Sequence, residues 1–108
     1  MAAGFLALSL ANVFFAGLAS FGEMTYHAHS DLGSLLMAWA AVLAVLAVID
    51  RPEAREASLV LVVLMLLEVV LGVFGDEIGA LGGLHALNAL VVLYAAHQAM
   101  RGLPVRPA

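Results

Sequence analysis

Residues 58–74 read SLVLVVLMLLEVVLGVF, an apolar run in which Glu68 is the one ionisable residue. A helix needs about 20 mostly apolar residues to cross the hydrocarbon core of a bilayer. Three further stretches have the same apolar character, at residues 3–21, 27–49 and 79–100. The sequence therefore predicts an all-α integral membrane protein with four spanning helices.

The composition agrees with a chain that lies mostly in lipid. Of the 108 residues, 65% are hydrophobic and 11% are charged, whereas a typical soluble domain is about 25% charged. The lack of cysteine excludes disulfides, iron–sulfur clusters and thiolate metal sites. The four cations are all arginines, too few for a nucleic-acid-binding surface. We expect a single domain, residues 1–108, with the lipid bilayer as its main partner.

Short connecting segments predict the topology. The loops at residues 22–26, 50–57 and 75–78 are short, so sequential helices should run antiparallel in an up-down-up-down bundle. The central loop, DRPEAREA, is typical of a helix start, with Asp50 as N-cap and Pro52 in the first turn. Residues 3–21 lack the basic beginning of a signal peptide and are therefore interpreted as a span.

The arginines predict the orientation. Arg51 and Arg55 lie in the central loop, and Arg101 and Arg106 follow the fourth helix. The two other loops contain acidic residues and no cation. By the positive-inside rule, we expect both termini and the central loop on the cytoplasmic side.

The two hairpins of the predicted bundle resemble one another. Asn12 and Glu68 are polar residues in the second half of the first and third helices, each followed by a glycine about one turn later. His29 and His85 lie near the outer ends of the second and fourth helices. A two-hairpin repeat would have its pseudo-twofold axis along the membrane normal and would make the two histidines equivalent. Chance similarity between short apolar segments is the alternative explanation.

His29 and His85 are the candidate ligands of a cofactor. Gly33 lies one turn after His29, and several glycines precede His85, so a large planar ring could approach both side chains. Two opposed imidazoles can bind the iron of a b-type heme from both sides. The simpler interpretation is that both histidines lie near lipid headgroups, where a polar residue costs little. As a pair they favour bis-histidine ligation of heme b, in a site that includes Gly33.

The other two histidines are less suited as ligands. His27 cannot share a helical face with His29, because positions i and i+2 lie about 200° apart on a helix. His27 is the alternative ligand on the second helix if that helix begins at a different residue. His97 follows His85 by twelve residues, about 18 Å along a helix axis. We expect His97 at the cytoplasmic edge, outside the site.

Glu68 is the most costly residue to place in a membrane. A charged side chain at the bilayer centre costs roughly 3 kcal/mol or more, so Glu68 should face the bundle interior, near the depth of His85. It could orient a ligand imidazole or relay a proton, which would make it part of the cofactor site. It could equally be a neutral acid bonded to Asn12 or Asn88 for helix association. The two asparagines are interpreted as structural contacts.

The motifs around these residues resemble a known family. The chain contains AGLASFG at residues 16–22, HSDLG at 29–33, a polar residue before Leu71-Gly72, and LHALNAL at 84–90. It resembles an uncharacterised family of small four-helix bacterial membrane proteins with paired His-x-x-Leu-Gly and Leu-His-x-x-Asn-Ala signatures. It is more loosely similar to one four-helix half of heme A synthase, in which paired histidines hold a b-type heme. The resemblance implies a bacterial cytoplasmic membrane, with His29 and His85 as axial ligands.

Three functions are consistent with these features. The first is a bis-histidine heme protein that transfers electrons, or carries or senses heme, without substrate chemistry of its own. The second is a non-heme zinc or copper protein, since nitrogen and oxygen ligands suit those metals. Its candidate ligands toward the outer face are Glu23, His27, His29, Asp31, Asp76, Glu77 and His85. The third is a structural subunit, whose small-residue faces would allow a homodimer or docking in a larger membrane complex.

Overall fold

The computed structural model describes residues 2–105 and contains four α-helices. They are α1 (Ala2–Ser20), α2 (His27–Asp50), α3 (Arg55–Gly75) and α4 (Gly79–Arg101), with a short 3-10 helix at Pro52–Ala54 before α3. The described residues include no strand. The protein is the predicted all-α antiparallel bundle, and the predicted spans agree with the helix bounds to within a turn. Arg106, one of the cations used to predict the orientation, lies outside the described residues.

The four helices form a ring in the order α1, α2, α3, α4, each packing against its two neighbours. Helices α2 and α4 are therefore diagonal to one another, as are α1 and α3. The bundle measures 42 × 23 × 20 Å, and its long axis is close to the roughly 40–45 Å thickness of a bilayer with its headgroups. Side chains at one depth on α2 and α4 can consequently meet at the bundle centre.

The outward surface of the bundle is apolar. All four helices are long and apolar enough to cross a membrane. Phe14, Val63 and Leu90 are 63%, 64% and 62% exposed, and large apolar residues are exposed on every helix. A soluble monomer rarely exposes so much contiguous apolar surface, whereas lipid covers it readily. Helices also pair their backbone polar groups internally, as a bilayer requires.

Small residues form much of the bundle interior. Ala40, Ala95 and Ala96 are almost fully buried, and Phe5 and Leu61 are the largest fully buried side chains of residues 2–105. Small side chains let helix backbones approach closely, which is how helices associate in a membrane.

The start of α3 differs from the prediction. Asp50 is the last residue of α2 and not an N-cap, because the α2 ladder continues to the bond from Arg51 N–H to Ala47 O at 3.2 Å. Arg51 leaves the helical region (φ −132°, ψ 73°), as is usual for a residue before proline. Pro52 does occupy the first turn, that of the 3-10 helix. The helical turn there begins several residues before the predicted start at residue 58.

Helices α3 and α4 approach closely at two glycines. An ideal Cβ on Gly75 would lie 3.1 Å from Gly82 Cα and 3.3 Å from Gly82 N. Backbone atoms cannot rotate away as a side chain can, so Gly75→Val must move the two helices apart. We expect the free energy of unfolding in detergent to fall by about 1–3 kcal/mol, the usual cost of overpacking.

Gly83→Val is the control for this stability measurement. It introduces the same side chain on α4, but no described atom lies within 4 Å of the Cβ position at Gly83. Its free energy of unfolding should stay within about 0.5 kcal/mol of wild type. Equal losses in the two variants would contradict a close contact between Gly75 and Gly82.

Candidate functional site

The structure brings His29 and His85 together. His29 lies in the first turn of α2 and His85 in the second turn of α4. Their ring centroids are 6.1 Å apart and the ring planes make an angle of 87°. Both side chains are half-buried. The pair lies toward the end of the bundle that carries the α1–α2 and α3–α4 loops.

Asn12 on α1 holds the His29 ring. His29 Nδ1 lies 3.0 Å from Asn12 Oδ1 and 3.2 Å from Asn12 O. A carbonyl oxygen can only accept, so Nδ1 carries the hydrogen and donates it. In a neutral imidazole the other nitrogen, Nε2, then keeps its lone pair and can bind a metal.

Glu68 on α3 holds the His85 ring in the same manner. His85 Nδ1 lies 3.0 Å from Glu68 O and 3.3 Å from Glu68 Oε1. Nδ1–H is again the donor, and Nε2 of His85 is again the nitrogen with a lone pair. The Glu68 side chain is 14% exposed, so it faces the bundle interior as expected.

Asn88 connects Glu68 back to α4. Asn88 Nδ2 donates to Glu68 Oε2 at 2.7 Å and to Leu64 O at 3.0 Å. The two roles considered for Glu68 therefore occur together: it contacts a candidate ligand imidazole and it joins two helices. Of the two amides proposed as its partner, Asn88 makes the bond, while Asn12 bonds His29.

The contacts of His29 and His85 occupy equivalent positions in the two hairpins of the chain. In each, Nδ1 contacts the backbone oxygen and a side-chain oxygen of the residue 17 positions earlier, on the preceding helix. A shift of 56 positions carries residue 12 to 68 and residue 29 to 85. This shared contact supports the interpretation of the chain as two related hairpins.

Glycine makes room for the His85 ring. An ideal Cβ on Gly72 would lie 3.1 Å from His85 Cε1 and 3.3 Å from His85 Nδ1. Gly33, which the sequence predicts to be part of the site, lies beside the His29–Asn12 pair. Its contact is less tight, because its Cβ position is 3.9 Å from Asn12 Nδ2. Gly72 was not assigned to the site, although its place one turn after Glu68 is the signal that could have found it.

Tyr26 lies beside His29 at the outer end. The two ring centroids are 6.3 Å apart, and the Tyr26 hydroxyl is 2.9 Å from Ser20 Oγ. Since Ser20 Oγ donates its hydrogen to Ala16 O at 2.9 Å, the Tyr26 hydroxyl is the donor of the bond to Ser20. This contact joins the residue before α2 to the last residue of α1.

The remaining histidines lie apart from the pair. His27 is exposed at the start of α2, and His97 lies twelve residues beyond His85 on α4. Within residues 2–105, no three His, Asp or Glu side chains come together as a metal-binding group. The acidic residues predicted at the outer face, Glu23, Asp31, Asp76 and Glu77, are all exposed. The zinc or copper site therefore stays a prediction.

Comparison of the chain with protein-family models, with curated proteins and with solved structures finds no match. The likeness to the small bacterial family and to half of heme A synthase thus stays an interpretation of the motifs. The function is argued below from the contacts of His29 and His85.

Proposed function

We propose that this chain is a membrane-embedded heme protein in which His29 and His85 are the axial ligands of a b-type heme. The observation that carries the proposal is the pairing of the two imidazoles. Each comes from one of two diagonal helices and donates its Nδ1–H to the preceding helix, His29 to Asn12 Oδ1 and O and His85 to Glu68 O. Histidines that bind metals usually make this second hydrogen bond, which fixes the tautomer and the ring orientation.

The separation of the rings fits two ligands of one metal. Metal–imidazole bonds are about 2.0–2.1 Å long and a ring centroid lies about 1 Å behind its nitrogen, so two trans imidazoles have centroids roughly 6 Å apart. The His29 and His85 centroids are 6.1 Å apart.

The donor set also suits a porphyrin. A porphyrin supplies the equatorial nitrogens of its iron, and the protein supplies the axial ligands. Structural zinc sites need four protein ligands, and catalytic zinc sites need three. Two opposed imidazoles match the requirement of heme. When bound, the heme would supply one-electron chemistry at its iron, or a group to be carried or sensed.

The chain's own residues would position and tune the site. Asn12 and Glu68 orient the two imidazoles and keep their Nε2 lone pairs available for the metal. The apolar helices around the site would lower the local dielectric and limit access of water, both of which influence a redox potential. Asn12 and Glu68 are in this sense positioning residues.

The membrane and the orientation are part of the proposal. Exposed Arg51, Arg55 and Arg101 lie at the end of the bundle opposite the histidine pair. By the positive-inside rule that end faces the cytoplasm. The heme would then lie near the outer leaflet of a bacterial cytoplasmic membrane, where its electrons or the heme itself can be exchanged with a partner on that side.

The absorption spectrum of the full chain tests the proposal. Protein expressed with ample heme and purified in detergent should show a Soret band, and dithionite should produce the sharp bands of a low-spin b-type heme. A colourless preparation from heme-replete cells would overturn the proposal. Stoichiometric zinc or copper in that colourless protein, by elemental analysis, would favour the non-heme alternative.

A further inference from the structure

An open apolar groove lies between α2 and α3, at the end of the bundle that carries the arginines. Its volume is about 240 Å³, which is less than the roughly 300–1,000 Å³ of pockets that enclose a drug-sized molecule. A small groove that is open to the lipid suits a narrow, flexible chain. The residues that line it are Ala44, Val45, Val48, Ile49 and Leu59.

A second groove extends the first toward the middle of the bundle. The two share Val45 and together cover residues 41–49 of α2. Eight residue steps correspond to about 12 Å along a helix axis, and the hydrocarbon of one leaflet is about 15 Å thick. The combined surface, called the α2–α3 groove below, therefore has nearly the depth of one leaflet. The residues that line its inner part are Ala41, Val42, Val45 and Leu46.

Arg55 lies at the outer end of the α2–α3 groove. Its Nη2 donates to Val48 O at 3.2 Å, and Val48 lines the groove. Val48 O is available because its partner in a continuing helix would be the N–H of residue 52, and Pro52 has none. Leu59, the α3 residue of the groove, follows Arg55 by about one turn on the same helix face. The bond to Val48 thus fixes a guanidinium where the apolar groove ends.

The guanidinium of Arg55 can bind an anion while it keeps this bond. It has five N–H donors in a planar fork that matches the geometry of a phosphate, and the bond to Val48 O is made by one of its nitrogens. Arg55 is exposed and is the first residue of α3, so its other donors lie at the level of the lipid headgroups. A phosphate bound there would stand directly above the groove.

The net charge of this end of the bundle does not by itself favour an anion. Asp50 and Glu53 are exposed beside Arg51 and Arg55 in the same loop, so acidic and basic side chains are interspersed. Attraction of an anionic headgroup therefore depends on the position of Arg55 at the groove and not on a broad basic surface.

From this juxtaposition we infer that the α2–α3 groove binds one anionic phospholipid. The Arg55 guanidinium binds the lipid phosphate, and one acyl chain lies along α2 from Val48 toward Ala41. In the orientation proposed above, the lipid belongs to the cytoplasmic leaflet, where basic pockets between spanning helices are known to bind anionic headgroups. The inference goes beyond the proposed function and requires no heme.

Native mass spectrometry of the full chain in detergent tests the lipid site. The probes are dioleoylphosphatidylglycerol, which is anionic, and dioleoylphosphatidylcholine, which has the same acyl chains and no net charge. Wild type should bind one phosphatidylglycerol about fivefold more tightly than phosphatidylcholine, the factor that corresponds to roughly 1 kcal/mol for one cation near a membrane surface. Equal affinities for the two lipids would overturn the inference.

Arg55→Gln removes the proposed phosphate ligand and should abolish the preference for phosphatidylglycerol. Arg101→Gln is the matched control, because it removes the same charge at the same end of the bundle, at the end of α4 and outside the groove. Its preference should stay within about twofold of wild type, as expected for a distant, independent site. An equal loss in the two variants would assign the attraction to the whole end of the bundle and overturn the inference.

Val45→Trp tests the place of the acyl chain. Val45 is 58% exposed and lines both parts of the groove, so the larger side chain fills the groove, and the bound phosphatidylglycerol should be lost. Val63→Trp introduces the same side chain at a position on α3 that is 64% exposed and outside the groove. It should bind the lipid as wild type does. Retention of the lipid by Val45→Trp would contradict the assigned position.

The same mass spectra report a different occupant of the groove. The inference expects Val45→Trp to lose lipid without a change in the number of chains per particle. A wild-type dimer that Val45→Trp dissociates, with lipid binding unchanged, would place a second copy of the chain in the groove and overturn the inference.

Discussion

Replacement of either His29 or His85 by alanine is expected to abolish the low-spin spectrum of the heme-loaded protein completely. A low-spin b-type heme with two histidine ligands needs a strong-field nitrogen on each side of the iron. The two rings are 6.1 Å apart, and each is oriented by its own acceptor on the preceding helix. Loss of either imidazole leaves one axial position without a protein nitrogen, so visible absorption should report the same loss in both variants.

The other two histidines provide controls on the same helices. His27 is exposed two residues before His29 on α2, and His97 follows His85 on α4 by twelve residues. His27→Ala and His97→Ala should both leave the low-spin spectrum unchanged. A loss of the spectrum in His27→Ala together with its survival in His29→Ala would show that His27 is the ligand on α2.

The helices of this protein were predictable because the bilayer sets their length. The run at residues 58–74 is part of α3 (Arg55–Gly75), and the other three spans end within a few residues of their predicted positions. The hydrocarbon thickness requires about 20 apolar residues, whatever their order. The boundary at Asp50 was wrong because an acidic residue before proline can either begin one helix or end another, and here it ends α2.

The side-chain contacts of the site were harder to predict than the helices, because a helix that suits a bilayer is apolar on every side. The four helices are apolar on all sides, so their sequences lack the polar and apolar faces that normally define how a helix is rotated in its bundle. His29 and His85 could be paired because the two hairpins resemble each other. Asn12 was assigned only a structural role, although its alignment with Glu68 places it against His29 in the same way.

The contact of Gly72 with the candidate site was not predicted either, because a glycine in a membrane helix is usually explained by helix packing. Here the atoms nearest to its Cβ position belong to the His85 ring, at 3.1 Å (Cε1), 3.3 Å (Nδ1) and 3.7 Å (Nε2). The neighbour that limits this position is therefore an imidazole and not a helix backbone. The glycine leaves room for the ring of His85, the proposed ligand, and its place one turn after Glu68 is the sequence signal for that contact.

Gly72→Val is accordingly expected to impair heme binding much more than it impairs the fold. The valine side chain would take the space of the His85 imidazole, which can swing away at little cost in packing but only by breaking its bond to Glu68. We expect the affinity for heme to fall by about 10–100-fold, the usual effect of disturbing a ligand's orienting contact. Heme titration of the purified apoprotein in detergent, followed at the Soret band, measures the change.

Gly17→Val separates this effect from the general effect of valine in a helix. Gly17 and Gly72 both lie three residues before the end of their helices, α1 and α3, so the change in helix propensity is comparable, about 0.5 kcal/mol or less in favour of valine. No described atom lies within 4 Å of the Cβ position at Gly17. Gly17→Val should therefore bind heme as wild type does, with unchanged helical content.

Two results would contradict the role assigned to Gly72. Equal heme affinities for the Gly72 and Gly17 variants would mean that the His85 ring does not need the space beside α3. A Gly72→Val protein that loses its helical circular dichroism along with its heme would mean that the glycine serves helix packing alone. We expect intact helices in both variants and a loss of heme affinity in Gly72→Val alone, because the atoms that the valine displaces belong to His85, the proposed ligand.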